Sequence, residues 1–148
     1  MAPYLGPELN VPRSRHSCAA MKWQNQTSGL IQTVIVAAGG ATTNNVLLNS
    51  TELLFVDLQN LEELPNSEFI VGPDLPLPMQ LGVMVGYDSS VVYTAGKARN
   101  NSLTYNNLNL FQLSNPQGPW TMMSQMLKEA RTLPVAFLVS DDVANTCA

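Results

Sequence analysis

Thr33-Val34-Ile35-Val36-Ala37-Ala38-Gly39-Gly40, followed from position 50 by Ser50-Thr51-Glu52-Leu53-Leu54-Phe55, reads as two β-strands joined by a glycine-led turn. The runs are short, β-branched and apolar, and turn residues bound them. Adjacent glycines mark a place where the backbone must take φ > 0, which other residues adopt at a cost. Apolar side chains on both faces of Val34-Ile35-Val36 suit a strand packed on two sides.

Working outward, the same grammar continues in both directions. Strands are expected near Arg15–Met21, Gln32–Ala38, Ser50–Asp57 and Ser67–Gly72. A second set is expected near Gln80–Gly86, Ser90–Ala95, Leu108–Leu113 and Trp120–Met123, and a ninth strand near Val135–Ser140. The two sets repeat. Gly40 and Gly96 each follow an apolar run, 56 positions apart, and Phe55 and Phe111 sit 56 apart in the next strand. Phe69 and Trp120 each open a fourth strand, 51 apart, while Arg13, Met79 and Arg131 open the first strands at spacings of 66 and 52. A period near 50 residues points to a repeat array, and four strands per period fits a propeller blade. The fold class read here is therefore all-β.

These residues, in this order, resemble a kelch repeat: an opening Arg, a Gly-Gly pair after strand two, an aromatic in strand three and a Trp opening strand four. The first blade supplies Arg13, Gly39-Gly40, Phe55 and Phe69. The second supplies Tyr93-Thr94-Ala95-Gly96, Phe111 and Trp120, and Arg131 begins a third. The second blade departs from the pattern with Gly96-Lys97 in place of two glycines and Met79 in place of Arg. The resemblance implies kelch-type β-propeller blades of four antiparallel strands in an incomplete ring. Its divisions are 1–12 as the tail of a preceding blade, 13–78 and 79–130 as two blades, and 131–148 as a first strand plus tail. Large aromatics are expected in the wedge between neighbouring blades.

Composition bounds the function. Charged residues are 12% of 148 and hydrophobic ones 45%, with 7 basic against 11 acidic side chains and net charge −4. A disordered tail needs the opposite balance, and the basic stripe that nucleic acid demands is missing. No apolar run approaches the roughly 20 residues of a membrane helix, and Met1–Leu9 lacks the apolar region of a secretory leader.

Enzymatic chemistry finds little footing. The single histidine, His16, and two distant cysteines cannot assemble a four-ligand zinc site. His16 reads as an ordinary strand residue. No nucleophile elbow or phosphate loop occurs. Kelch-like copper radical oxidases use two histidines, which this chain lacks. Asp141-Asp142 and Glu62-Glu63 read as solvated turns, and Met122, Met123 and Met126 as filling between blades. No catalytic residue, cofactor or metal site is expected, and the chain is read as a non-enzyme.

The expected role is a protein-interaction or scaffolding module belonging to a longer propeller, its protein partner unknown and the missing blades of the same polypeptide among its neighbours. The alternative is part of a propeller enzyme whose catalytic residues lie in other blades. Ala41–Asn49 and Lys97–Asn107 are candidate binding loops. Sequons begin at Asn25, Asn49 and Asn100, in expected polar loops, where chance among 14 Asn and 21 Ser and Thr gives about two. The resemblance is to invertebrate secreted kelch-like chains in particular, which favours an extracellular location over a cytoplasmic one. Cys18 and Cys147 are placed too far apart to pair.

Overall fold

The computed structural model describes residues 7–57, 67–100, 103–136 and 138. Every regular element among them is a strand. The first four-stranded sheet comprises β1 (Ser17–Gln24), β2 (Ile31–Ala38), β3 (Thr51–Val56) and β4 (Ile70–Val71), each antiparallel to the next. After the short β5 (Met79–Gln80), a second four-stranded sheet contains β6 (Val83–Tyr87), β7 (Ser90–Thr94), β10 (Asn109–Leu113) and β11 (Thr121–Met126) in the order β6-β7-β10-β11. Both are antiparallel meanders, an arrangement consistent with the blades of a β-propeller.

Between β7 and β10 the chain forms a hairpin, β8 (Lys97–Asn100) and β9 (Leu103–Asn106), which pairs with β5 into a three-stranded sheet. The stretch Lys97–Asn107, expected as a flexible loop, is therefore mostly strand. Its alternation Lys97-Ala98 beside Tyr105-Asn106 suits a ladder, and Ala98 is fully buried. Sequence reading also runs Gln80–Gly86 together as one strand. The chain instead breaks at Leu81 and Gly82, because Leu81 takes φ 60°. Of Val135–Ser140, residues 135, 136 and 138 are described, and none lies in a strand.

The four-stranded units match position by position. Leu81 N donates to Arg15 O and Leu133 N to Leu81 O, each at 3.0 Å. Arg15, Leu81 and Leu133 carry φ of 58°, 60° and 55°. One backbone geometry thus recurs three times at spacings of 66 and 52, and it places Arg13, Met79 and Arg131 in matching positions. Gly40 N donates to Met79 O (2.6 Å) and Gly96 N to Arg131 O (2.8 Å), so Gly40 matches Gly96.

The third strands match differently from the sequence reading. Phe55 lies opposite Val34, but Phe111 lies opposite Tyr93. With Gly40 on Gly96, the residue in the place of Phe111 is Glu52, which pairs with Ala37. Two loop bonds agree: Leu48 N donates to Gly40 O and Asn107 N to Gly96 O, both at 2.9 Å. Phe55 and Phe111 are not equivalent. Their shared spacing arises because the connection carrying β8 and β9 is longer, so the second unit reaches its third strand later.

The glycine pair is also shifted. Gly39 and Gly40 have φ of 68° and 95°; the second unit repeats this with Ala95 at 61° and Gly96 at 74°. The counterpart of Gly39-Gly40 is Ala95-Gly96, not Gly96-Lys97. A Cβ on Gly39 would lie 2.5 Å from Met79 O, and one on Gly96 would press on the Gln80 carbonyl. Ala95 already bears the left-handed cost of about 1–2 kcal/mol. Gly96→Ala is therefore expected to cost more than that, because close contact adds to strain, whereas Ala95→Gly is near neutral or stabilising. Urea midpoints of the two variants check the contrast.

The core lies between the two four-stranded sheets. In β1 the odd positions Ser17, Ala19, Met21 and Trp23 are buried or half-buried, and the even ones are exposed. They meet β6 and β7 along with Val34, Val36 and Leu53 on one side and Met84, Val91, Tyr93, Phe111 and Leu113 on the other. Trp120 seals the contact: its Nε1 donates to Thr51 Oγ1 (3.2 Å) and Pro73 O (3.0 Å). Phe69, which opens β4 as Trp120 opens β11, is only half-buried.

Candidate functional site

Three features stand out from this framework. The first is an ion pair. Arg13 Nη2 lies 2.6 Å from Glu52 Oε1, and both side chains are inaccessible to solvent. Nη1 donates to the carbonyls of Gly39 and Ser50, each at 2.9 Å, and Nη2 to Ser50 Oγ at 3.1 Å. Glu52 also accepts from Asn10 N (2.6 Å) and Val11 N (3.1 Å). This pair ties the entering segment to the glycine turn and the third strand. The matching positions in the second unit, Met79 and Phe111, are both buried and apolar. One unit holds this junction with charge, the next with packing.

Burial alone would raise the Glu52 pKa, but the hydrogen bonds from Asn10, Arg13 and Val11 and the guanidinium charge outweigh it, and the carboxyl sits below its ordinary 4.5. A carboxylate depressed in the fold gives stability that is present above 4.5 and lost as pH falls through its folded value. His16, nearby, is lowered from 6.5, mainly by burial and then by the Arg13 charge. Its neutral form is favoured in the fold, so stability is also lost below 6.5. Denaturant midpoints are expected to fall in two stages on acidification, and Glu52→Gln removes the lower one.

The second feature is an exposed apolar edge. Met122 and Met126 of β11 are 65% and 59% exposed, so they are not the inter-sheet filling expected from sequence. Leu133 and Val135 are 73% and 87% exposed. Arg131, in the Arg13 position, is exposed and pairs with the equally exposed Glu129 at 2.8 Å. Arg13 differs because Glu52 stands in its own unit.

The third feature is a cleft of about 420 Å³ where the first four-stranded sheet meets the β10–β11 turn. Trp23 at the end of β1 and Phe55 of β3 form one wall, ring centroids 5.4 Å apart and planes at 71°. Asn25, Gln32, Ile70, Val71 and the Pro116-Gln117 turn are among the other residues that line it. A neighbouring cleft of about 380 Å³ shares Trp23, Asn25 and Gln117. Among the described residues, no charged side chain lines either one.

Sequence reasoning did not single out Trp23 as a wall residue. Its signal is the period-two run Ser17, Ala19, Met21, Trp23. The candidate loop Ala41–Asn49 is held by Thr42 N to Val46 O and by the pairing of Ala41 with Ser14 and Leu47. Asn25 and Asn49 lie outside strands, as expected. Asn100 does not: it ends β8, paired with Leu103. Cys18 is free and exposed, and burial of its surroundings raises its thiol pKa. Cys147, Asp141-Asp142 and Glu62-Glu63 lie outside the described residues. Among the described residues no three His, Cys, Asp or Glu side chains converge as metal ligands, and no helix is long and apolar enough to cross a membrane.

This geometry has likenesses among solved structures. The chain is similar to YjhT. The two share 13% of residues at a TM-score of 0.58, over 85% of this chain and 31% of that one. At that identity the likeness speaks to the all-β fold alone, and the chain spans about a third of YjhT's length. No family model matches the sequence, and no curated protein matches it.

Proposed function

We propose that the chain is a non-catalytic interaction or scaffolding module built of kelch-type propeller blades. The observation that carries this reading is the triple recurrence at Arg15, Leu81 and Leu133. The third occurrence opens a further blade, and the residues beside it, Arg131, Leu133 and Val135, are exposed. A repeat unit buries its faces against its neighbours, and exposed apolar area is a seat for a partner. The partner that fits is another blade of the same kind, offering an apolar sheet face.

This makes a measurable prediction. Residues 1–148 alone are expected to self-associate in a concentration-dependent way, seen as rising mass in light scattering coupled to gel filtration. Met122→Lys with Val135→Lys should return the monomer. A wild-type chain that stays monomeric across a hundredfold range of concentration would overturn the reading.

A further inference from the structure

We propose that Asn25 is an acceptor of an N-linked glycan and that the cleft walled by Trp23 and Phe55 seats the first sugar of that glycan. The inference rests on the β1–β2 hairpin and the cleft, and stands apart from the blade reading.

Asn25-Gln26-Thr27 is a sequon at the hairpin tip. Asn25 Oδ1 accepts from Thr27 N (2.9 Å) and Ser28 N (3.2 Å), which fixes the carboxamide. Asn25 N donates to Leu30 O and Gly29 N to Asn25 O, so the backbone beneath it is fixed as well. The side-chain oxygen is spoken for; the nitrogen, which a glycan needs, is not among the bonds of the hairpin. The other sequons differ. Asn49 Nδ2 donates to Asp74 Oδ2 at 3.3 Å, so a glycan there has to displace that bond. Asn100 sits within the β8–β9 ladder.

Asn25 borders both clefts, and Trp23 lies two positions before it on the same side of the hairpin. Packing against Phe55 holds the indole in place. A sugar ring has an apolar C–H face that suits an aromatic surface and hydroxyls that suit amides. Gln32 and Gln117 supply the amides. An uncharged lining fits a neutral sugar, and a volume of this size is in the range of small-molecule sites.

The transfer is balanced with a lipid-pyrophosphate-linked oligosaccharide as donor. A bond forms between Asn25 Nδ2 and the sugar C1. The bond from C1 to the pyrophosphate oxygen breaks, and its electron pair leaves with the lipid pyrophosphate. One Nδ2 proton passes to a base of the transferase, and nothing is oxidised or reduced.

The test is to secrete the full chain from a eukaryotic host behind a leader and map each sequon by glycosidase treatment in ¹⁸O-water with peptide mass spectrometry. Asn25 is expected to be occupied in most molecules, and more than Asn49. Trimming to the first sugar should leave Tm unchanged, and complete removal should lower it by about 2–4 °C. Trp23→Ala should abolish that loss, and Trp23→Tyr, which keeps an aromatic wall if the alanine variant does not fold, should retain part of it. An unmodified Asn25 in secreted protein overturns the proposal, as does an equal Tm change on glycan removal in wild type and Trp23 variants.

Discussion

Replacing Arg13 by Met is expected to destabilise the fold by about 3–5 kcal/mol, because it leaves the Glu52 carboxylate buried without its guanidinium. For a chain of this size that is a fall in Tm of roughly 10 °C. Glu52→Phe alone should cost a similar amount, stranding Arg13 among the Gly39 and Ser50 carbonyls. Together the two changes recreate the pair Met79 and Phe111, which the second unit already buries at matching positions. The double variant is therefore expected to recover much of the loss. Recovery falls short of complete because Asn10 N and Val11 N lose their acceptor. A double-mutant cycle by urea unfolding measures the coupling. Additive losses would mean that the two junctions are not equivalent.

The second large effect is expected at Trp120. Its ring is buried between the sheets, and its Nε1 bridges Thr51 and Pro73 of the first unit from the second. Trp120→Ala removes both packing and bridge, for about 3–5 kcal/mol. Trp120→Phe keeps most of the packing and loses the bridge, for about 1–3 kcal/mol, since Thr51 Oγ1 and Pro73 O are left without that donor. Because the side chain ties one unit to the other, the alanine variant should also broaden the unfolding transition. A shallow denaturant slope in circular dichroism, with the tryptophan fluorescence of Trp23 changing at a different midpoint, is the expected signature. A single sharp transition shifted by less than 1 kcal/mol would show that Trp120 does not join the sheets.

The strands of both four-stranded sheets were legible because each is a short apolar or alternating run with glycine, proline or asparagine at its ends. The opening positions Arg13, Met79 and Arg131 were legible from spacing, even though Met79 shares no chemistry with the arginines. Other features were hidden for identifiable reasons. Ala95 takes a left-handed conformation, φ 61°, that its residue type does not announce, so Gly96-Lys97 looked like the natural counterpart of Gly39-Gly40. The equal distances from Gly40 to Phe55 and Gly96 to Phe111 concealed a shift of register, because the longer connection of the second unit is matched by the later position of Phe55 within its own strand. The replacement of Arg13 and Glu52 by Met79 and Phe111 then became invisible, since Glu52 had no assigned partner. The β8–β9 hairpin was missed because Asn-rich sequence favours turns, and it is the pairing of Lys97 with Gln80 and Ala98 with Met79 that makes it a strand. Trp23 was overlooked as a wall because its neighbour Phe55 lies on a different strand, and only the sheet brings them within 5.4 Å.

The equivalence of the two sheets, with Glu52 rather than Phe55 in the place of Phe111, is the claim on which the rest depends. Cross-strand nuclear Overhauser contacts in labelled protein test it directly. The structure predicts contacts from Phe111 to Tyr93 and from Leu113 to Val91, with Glu52 facing Ala37. Contacts from Phe111 to Ser90, the residue that would face it were Phe111 in the place of Phe55, would contradict the account.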